Sequence, residues 1–418
     1  SFFTENRKRF TKELKSNSIA IFFSNDLMPR SADGFHNYRQ NPDFYYLTGI
    51  DQEDCMLILF PDAPVASQKE ILFLKETNEH IAVWEGAKVN KEQGKELSGV
   101  NNIQWNDNFN ASLNGLMFQA EHVYINLNEN DRSGSEVAYK DLRFANELKT
   151  RFPLHKFERS GPIMAKLRSI KSKEEIDTIQ QACNITEKAL RQVLKTTKPG
   201  MYEYEVEAEI ISTFIKNGAT GHAYAPIIAG GANACVLHYV DNDQKLKDGD
   251  LLLMDFGSEY ACYASDLSRT IPVNGRFSAR QKEVYNACLN IHNEAKKMMS
   301  PGVTLNDFNI EVKKMMKSAL IDIKLIDKNL SEKEQMALTQ KYYPHGTSHF
   351  MGIDVHDIGN RYAIIQENMC FTIEPGIYIP KENLGIRIEN DIIVKNGDNI
   401  DLMKNIPITI EEIEDLMN

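Results

Sequence analysis

Acidic residues interrupt apolar, strand-like runs at four places in the C-terminal half of the chain. They form two pairs, Asp255 with Asp266 and Glu374 with Glu389. A carboxylate inside a buried strand is costly unless a cation or hydrogen-bond donors meet it. Ten residues separate the first pair and fourteen the second, and this even spacing predicts that each pair faces across an antiparallel hairpin, with Cβ atoms about 5 Å apart. Carboxylates so close repel each other unless they share a metal ion or a proton.

Histidines supply the third element of this pattern. Three of the ten in the chain, His345, His349 and His356, lie within twelve residues, and His238 shortly precedes the first acid pair. Four carboxylates with one imidazole form an oxygen-dominated ligand set, which suits two divalent ions of the Mn²⁺, Co²⁺, Fe²⁺ or Zn²⁺ type. The acids and histidines together indicate a metal site.

Each of these residues also has a purely structural interpretation. Asp266 is close in sequence to Arg269, and Glu389 shares a strand face with Arg387, so two ion pairs would account for both acids. A clustered histidine is more often a hydrogen-bonded polar residue than a metal ligand. Two similar acid pairs combined with a histidine cluster are harder to explain in this way, and they favour a functional site.

The N-terminal part of the chain alternates short apolar segments with polar helical ones, which is typical of an α/β domain. The predicted strands are Ser18 to Ser24, Met56 to Phe60, Ile71 to Leu74 and His122 to Leu127. Near residues 151–170 this pattern gives way to a basic, proline-containing stretch. We therefore place the domain boundary there and predict two domains, 1–160 and 161–418.

The C-terminal part opens with a strong helix signal, because Ser172 and Glu175 have the spacing of a capping box. A second helix follows, and then the order of two helices recurs. The four predicted helices cover about residues 172–198, 203–217, 279–300 and 305–318. A strand-rich region with one acid pair comes after each helix pair. This order predicts an α+β domain with internally duplicated helix–helix–hairpin units, and chance repetition in a long α/β chain is the alternative.

Composition excludes several classes of function. The 48 basic and 59 acidic residues give a net charge of −11, which argues against nucleic acid as a partner. No stretch approaches the about 18 apolar residues of a membrane span. The six cysteines are scattered without a CxxC pair, and the first residues have no signal-peptide pattern. We therefore expect reduced thiols in a cytoplasmic protein.

The motifs of the C-terminal part resemble those of the pita-bread metallopeptidases, a family that includes methionine aminopeptidase, prolidase and aminopeptidase P. The resemblance rests on MDFG at 254–257, SDLSRT at 265–270, HGTSHFMG at 345–352, TIEPGIY at 372–378 and IRIEND at 386–391. It implies a pita-bread fold and two divalent ions, with Mn²⁺ as the first choice and Zn²⁺, Co²⁺ or Fe²⁺ as alternatives. The implied metal ligands are Asp255, Asp266, His349, Glu374 and Glu389.

The N-terminal part is similar to the leading domain of aminopeptidase P, through RSAD at 30–33 and YRQNPDFYYLTG at 38–49. Methionine aminopeptidases lack this domain. The resemblance therefore implies a homodimeric or homotetrameric aminopeptidase that releases the N-terminal residue of peptides with proline in second position. The alternatives are a prolidase restricted to Xaa-Pro dipeptides and a metal-free binding module on the same fold; the acid-rich ligand set disfavours creatinase-like C–N hydrolysis.

Roles for individual residues follow from the same resemblance. A hydroxide bridging the two ions would attack the scissile carbonyl, with Glu374 as general base and Arg387 holding the acids in register. His238 and His356 would donate hydrogen bonds to the carbonyl oxygen or the oxyanion. The predicted substrate-binding residues are His345 and Tyr378 near the proline ring, and Asp33 from the N-terminal domain of a neighbouring subunit.

Overall fold

Two units make up the computed structural model, Ser1–Arg168 and Ser169–Asn418. Residues 1–127, 129–130, 132, 134 and 137–418 are described. The division lies somewhat later than the predicted boundary between 160 and 161, since helix α7 (Gly161–Ser169) begins in the first unit and ends at the division. None of the helices in the described ranges combines the length and the apolar composition that a bilayer crossing requires.

The first unit is built on a mixed β-sheet. Its described strands are β1 (Ser18–Phe23), β2 (Pro29–Ser31), β3 (Gly34–Phe35), β4 (Met56–Leu59), β5 (Glu70–Leu74), β6 (Asn102–Trp105), β7 (His122–Ile125) and β8 (Lys156–Arg159). The order in the sheet is β6-β5-β4-β1-β7-β8, and β2 pairs with β3 in a separate hairpin. The central strand β1 is fully buried and runs antiparallel to β4 and parallel to β7.

Seven described helices accompany this sheet, and two of them complete the core of the first unit. Besides α7, the seven are α1 (Phe2–Thr11), α2 (Pro42–Thr48), α3 (Glu79–Glu85), α4 (Lys91–Ser98), α5 (Phe109–Met117) and α6 (Lys140–Arg151). Alternate residues of β1, Ile19 and Ile21, share a buried cluster with Leu113 of α5 and Leu148 of α6. This is the packing expected when one face of a strand points towards a helix layer.

The predicted α/β character of this part is confirmed. The four predicted strands correspond to β1, β4, β5 and β7, with ends that differ by two residues or fewer. Strands β6 and β8 were not predicted, because NIQW and KFER contain few apolar residues and are only partly buried. They lie at the two edges of the sheet, where a strand needs less apolar surface than in the centre.

The second unit begins with the predicted long helix. Its described helices are α8 (Lys173–Thr196), α9 (Glu203–Lys216), α10 (Ala279–Met298), α11 (Leu305–Asp322), α12 (Glu332–Tyr342) and α13 (Ile410–Met417). The capping box is present: Ser172 Oγ accepts the Glu175 N–H at 3.2 Å, and the Glu175 carboxylate accepts the Ser172 N–H at 2.8 Å. Helices α8 to α11 agree with the prediction, whereas α12 is an addition between α11 and the second strand region.

Strands follow each helix pair, so the predicted helix–helix–hairpin order occurs twice. They are β9 (Gly221–His222), β10 (Ile227–Gly230), β11 (Leu251–Phe256), β12 (Ser258–Tyr260), β13 (Tyr263–Ala264), β14 (Leu267–Pro272), β15 (Cys370–Ile373), β16 (Gly376–Ile379), β17 (Leu384–Arg387), β18 (Asn390–Ile393) and β19 (Ile400–Asp401). The first hairpin pairs β11 with β14, and the second pairs β15 with β18 and β16 with β17.

Asp255 lies inside strand β11, as predicted, whereas the strands are interrupted at the other three acids, and this corrects the prediction of acids inside continuous strands for those three. Asp266 lies directly before β14, Glu374 lies between β15 and β16, and Glu389 lies between β17 and β18. Pro375 contributes to the second break because it has no N–H to donate to a ladder. A Cβ on Gly257 would lie 1.7 Å from the Ser265 carbonyl oxygen, so only glycine permits the close approach at the first break.

The two acid pairs also differ in register. Glu374 and Glu389 continue the pairing in which Ile373 faces Asn390, so they are opposed as predicted. Asp255 instead faces Ser268, and the prediction that it directly opposes Asp266 is wrong. Asp266 is two positions away along its strand, which is a diagonal relation that still leaves both side chains on one face of the hairpin.

Candidate active site

The acids of both hairpins converge on one buried imidazole. Ligand atoms of Asp266, His349 and Glu389 all lie within 4.8 Å of one another. His349 Nε2 is 3.3 Å from Asp266 Oδ2 and 3.7 Å from Glu374 Oε1. The His349 ring is fixed on its other side, where Nδ1 lies 2.9 Å from the Phe350 carbonyl oxygen. This contact makes Nδ1 the donor and leaves the lone pair of Nε2 directed towards the acids.

The Tyr224 hydroxyl links Asp255, the fourth acid, to this cluster by hydrogen bonds. Its hydroxyl oxygen is 2.7 Å from Asp255 Oδ1 and 2.6 Å from Asp266 Oδ1. Asp255 Oδ2 in turn accepts a hydrogen bond from Arg387 Nη2 at 2.6 Å. A hydroxyl has one proton, so Tyr224 donates to one carboxylate at a time. The sequence offered no signal for Tyr224, which lies in an irregular segment between β9 and β10.

A chain of hydrogen bonds continues from Arg387 to both sides. Arg387 Nε donates to Ser268 Oγ at 2.9 Å, and Ser268 Oγ donates to Glu389 Oε2 at 2.7 Å. On the other side, Arg387 Nη1 donates to the Tyr378 hydroxyl at 2.8 Å, and that hydroxyl lies 2.8 Å from His345 Nε2. Ser268 was another residue that sequence reasoning missed, although it lies within the SDLSRT motif.

These contacts replace the two ion pairs of the structural interpretation. Ser268 bridges Arg387 to Glu389, while the direct ion pair of Arg387 is with Asp255. Arg269 donates to the carbonyl oxygens of residues 268, 389 and 407 and to the Asn390 side chain. Its guanidinium thus stabilises the backbone around Ser268 and Glu389 and makes no hydrogen bond to the Asp266 carboxylate among those described.

Burial makes this arrangement electrostatically unfavourable for ionised acids. It raises the pKa of Asp266 well above the usual range, and the Asp255 carboxylate adds to the effect. Burial likewise raises the pKa of Glu389, with repulsion from Asp266 and Glu374, and it raises the pKa of Glu374 to about 7. A bound cation would offset this repulsion, because opposite charge favours the ionised form of each acid.

A further observation indicates that the cluster fits a divalent metal ion. Glu389 Oε1 is buried and has no hydrogen-bond partner among the described residues, which is a costly state unless something binds it. Asp266 and His349 offer ligand atoms within 4.8 Å of a Glu389 carboxylate oxygen, and such O and N donors suit divalent transition-metal ions. Asp266, His349 and Glu389 are grouped closely enough to hold an ion, and Glu374 and Asp255 lie beside them.

The remaining predicted residues lie at different distances from the cluster. The His356 ring is perpendicular to that of His349, with centroids 4.4 Å apart. His345 Nδ1 is 3.9 Å from Glu374 Oε2. His238 is exposed and follows a short 3-10 turn over Gly231–Cys235. Asp33 belongs to the first unit, where it is exposed in the turn between β2 and β3.

Comparison with known proteins assigns each of the two units to a known protein family. The model of metallopeptidase family M24 matches residues 177–396, a range that contains every acid and histidine of the cluster. The chain belongs to metallopeptidase family M24. A second model, the aminopeptidase P N-terminal domain, matches residues 3–124, which places this M24 peptidase in the aminopeptidase P group. The predicted family, the two-part fold and the enzyme class of a metal-dependent hydrolase are thereby confirmed.

Relatives of this M24 peptidase match it from end to end. The Xaa-Pro aminopeptidase of Haemophilus influenzae is 32% identical and covers 100% of this chain and 97% of its own length. Aminopeptidase PepP of Pseudomonas aeruginosa superposes with a TM-score of 0.90 at 31% identity, covering 99% and 97% of the two chains. Zinc-substituted aminopeptidase P of Escherichia coli, in complex with product, gives a TM-score of 0.89 at 30% identity, covering 100% and 97%.

Proposed function

We propose that this M24 peptidase is an Xaa-Pro aminopeptidase, which hydrolyses the bond between an N-terminal residue and a proline in second position. The observation that carries this proposal is the convergence of four acids and His349 in a chain whose first unit has the aminopeptidase P type. The Xaa-Pro aminopeptidase relatives, which it matches over nearly their full length, support the substrate class. A prolidase is the second candidate, since the Xaa-Pro dipeptidase of mouse is 29% identical and is covered to 93%.

Two divalent ions are the proposed cofactors, with Mn²⁺ as the first choice. We assign their ligands as the four converging acids and His349. When bound, such ions supply an activated water as nucleophile and a Lewis acid for the carbonyl group. The orphaned Glu389 Oε1 and the raised pKa values of the acids support this assignment, because both features are relieved by a cation.

Glu374 is the proposed general base. Glu374 is partly exposed, whereas Glu389 is buried, so a Glu374 carboxylate oxygen is the more accessible to water and substrate. It would take the proton of the attacking water and deliver it to the leaving nitrogen. His356 and His238 would donate hydrogen bonds to the carbonyl oxygen as it becomes negatively charged.

Tyr378 and Arg387 hold His345 in one neutral form beside this site. Arg387 Nη1 donates to the Tyr378 hydroxyl, which therefore donates its own proton to His345 Nε2. His345 Nδ1 then carries the ring proton and donates to the Gly346 carbonyl oxygen at 2.7 Å. Burial and the nearby Arg387 charge lower the pKa of His345 to about 4. A neutral, fixed imidazole offers an apolar edge, which would suit a pyrrolidine ring.

A peptide panel tests the proposed function. With Mn²⁺ added, the enzyme should cleave Xaa-Pro-Yaa peptides with a kcat/KM at least about a hundredfold above that for Xaa-Ala-Yaa peptides, because a site shaped for one group rejects a poorly fitting one. Chelation should abolish cleavage, and added Mn²⁺, Co²⁺ or Zn²⁺ should restore it. Cleavage of Xaa-Pro dipeptides alone would identify a prolidase, and unchanged cleavage after complete metal removal would contradict a metal-dependent mechanism.

Ser268→Ala should weaken metal binding while leaving all five proposed ligands in place. The substitution removes the hydroxyl that donates to Glu389 Oε2 and accepts from Arg387 Nε, and residues that orient a metal ligand typically contribute about ten- to a hundredfold in affinity. Metal titration of the apoenzyme measures this change. The matched control is Ser348→Ala, since Ser348 Oγ is buried without a described partner. Equal metal affinities of the two variants would contradict the orienting role.

The oligomeric state and the location stay predictions. A homodimer or homotetramer, with Asp33 approaching the site of a neighbouring subunit, is proposed from the resemblance alone. A cytoplasmic location has one supporting observation, because no disulfide joins the described cysteines, as is usual for proteins of reducing compartments.

A further inference from the structure

Glu203, the first residue of α9, is a buried carboxylate outside the proposed metal centre. Its side chain has an exposed fraction of 0%. Oε1 accepts the Gly230 N–H at 2.7 Å and the Asn233 side-chain amide at 3.1 Å, while Oε2 accepts the Tyr239 hydroxyl at 2.6 Å and the Gln244 N–H at 2.9 Å. Four donors to one carboxylate offset the cost of burying its charge, and bonds to a charged acceptor are stronger than neutral ones.

The donors to Glu203 bracket the segment that carries His238. The Val236 N–H donates to the Asn233 carbonyl oxygen at 2.9 Å, and the Tyr239 N–H donates to the Val236 carbonyl oxygen at 3.3 Å. Two successive turns therefore cover residues 233–236 and 236–239, and His238 is the third residue of the second turn. Glu203 binds the side chains of the first residue of one turn and the last residue of the other.

Tyr239 is a dependable donor in this arrangement. Burial raises its pKa above the usual range, and the Glu203 carboxylate adds to the effect, so the phenol keeps its proton over the physiological range. Tyr239 is buried and packs in one apolar cluster with Tyr378. Through Tyr239, the turn over residues 236–239 therefore contacts the same apolar cluster as Tyr378, a residue of the proposed active site.

The beginning of the same segment packs directly on the active-site hairpin. A Cβ on Gly385 of β17 would lie 2.2 Å from the Ala234 carbonyl oxygen, so glycine is needed where the 3-10 turn crosses this strand. Cys235 Sγ is 3.4 Å from the Leu384 carbonyl oxygen. Strand β17 ends at Arg387, and the turns are therefore held between Glu203 on one side and the Arg387 strand on the other.

We propose that Glu203 is a positioning residue for His238. The His238 side chain is exposed, so the position of its ring depends on the backbone turns that carry it, and Glu203 ties those turns to α9 through four hydrogen bonds. The inference rests on the proposed function, in which His238 donates a hydrogen bond to the substrate carbonyl. Misplacing such a donor by about 1 Å is enough to slow a reaction greatly.

Glu203→Gln tests this proposal with little change of shape. A carboxamide has a single acceptor oxygen in place of two, so two of the four donors lose their acceptor. The kcat/KM for an Xaa-Pro-Yaa peptide should fall about tenfold, and hydrogen exchange measured by mass spectrometry should accelerate in residues 230–244. Tyr239→Phe, which removes one hydrogen bond to Glu203, should give a smaller loss.

The matched control is Glu414→Gln. Glu414 is another buried acid that accepts a backbone N–H, from Phe277 at 3.0 Å. The activity of this variant should stay within about twofold of wild type.

A double-mutant cycle separates positioning from a general structural effect. His238→Ala alone should lower kcat/KM about a hundredfold, as loss of an oxyanion donor does. If Glu203 acts through His238, adding Glu203→Gln to His238→Ala should lower it by less than about twofold more. The same tenfold loss in both backgrounds would overturn the inference, and so would full activity of a folded Glu203→Gln protein. Tyr239→Phe replaces Glu203→Gln in the cycle if the latter does not fold.

The proposed function and this inference fail in different ways. Wild-type protein with metal but without activity on any Xaa-Pro-Yaa peptide overturns the proposed function, and the role of His238 is lost with it. Active wild-type protein with additive effects of the two substitutions overturns the positioning role alone. Faster exchange confined to residues 230–244 in Glu203→Gln supports the structural half of the argument independently of catalysis, and unchanged exchange there contradicts it.

Discussion

His349→Ala is expected to lower kcat/KM for Xaa-Pro-Yaa peptides by at least about a thousandfold, which corresponds to about 4 kcal/mol of transition-state stabilisation. His349 is the imidazole on which the buried acids converge, and its Nε2 lies within 4 Å of both Asp266 and Glu374. Without the imidazole lone pair the proposed cation is bound less tightly, and without the cation the acids, whose pKa values burial already raises, are left to repel one another. A metal centre that contributes several kcal/mol to the reaction should then be lost.

Elemental analysis checks this prediction independently of the assay. The purified variant should contain less than half of the divalent metal that wild type holds after the same loading and dialysis. His80→Ala is the matched control, because His80 is exposed on α3, and both its metal content and its activity should equal those of wild type. A His349→Ala protein with wild-type metal content and activity would rule out the proposed ligand set.

Lys171→Met is expected to reduce the free energy of unfolding of the second unit by about 3–5 kcal/mol. Lys171 Nζ and Asp357 Oδ2 form an ion pair at 2.8 Å, with side chains that are 2% and 1% exposed. Removing the ammonium group deprives the buried Asp357 carboxylate of this ion pair, which costs far more than the loss of a surface ion pair. Lys171 directly precedes the capping box of α8, and Asp357 directly follows His356, so activity should fall as well.

Urea unfolding of the variants measures the loss. The matched control is Lys173→Met, which breaks an exposed ion pair with Asp177 on the same helix, with side chains 86% and 63% exposed; it should cost less than about 1 kcal/mol. Replacing both partners, by Lys171→Met with Asp357→Leu, should recover much of the stability, because two apolar groups need no charge partner. Equal losses for Lys171→Met and the control would show that burial of the pair contributes little.

Local signals in the sequence predicted much of the fold. The capping box of Ser172 and Glu175 acts over three residues, and it located the start of α8 without reference to the rest of the chain. Apolar runs located β1, β4, β5 and β7 for the same reason, since each is buried over nearly its whole length. The edge strands β6 and β8, with weaker apolar patterns, could not be recognised in this way.

The acid–histidine pattern predicted a site of four acids and one histidine, because carboxylates in apolar runs require a cation or hydrogen-bond donors, and the family resemblance implied that the histidine is His349. The pattern did not predict how these residues meet. The diagonal relation of Asp255 and Asp266 follows from the register of β11 with β14, and the breaks in the ladders depend on Gly257 and Pro375. These are properties of paired strands, and a single strand does not reveal its partner.

By itself, the sequence determined the family, the order of helices and hairpins and the set of acids and histidines. Each of these is recognised from short motifs, within which the residues are close together in the chain. Only the tertiary structure decided the partners of Tyr224, Ser268, Glu203 and Lys171. The Lys171–Asp357 contact joins residues 186 positions apart, and no local pattern marks either one. Such pairs form only after packing has removed water from both partners, so their identity depends on the whole fold.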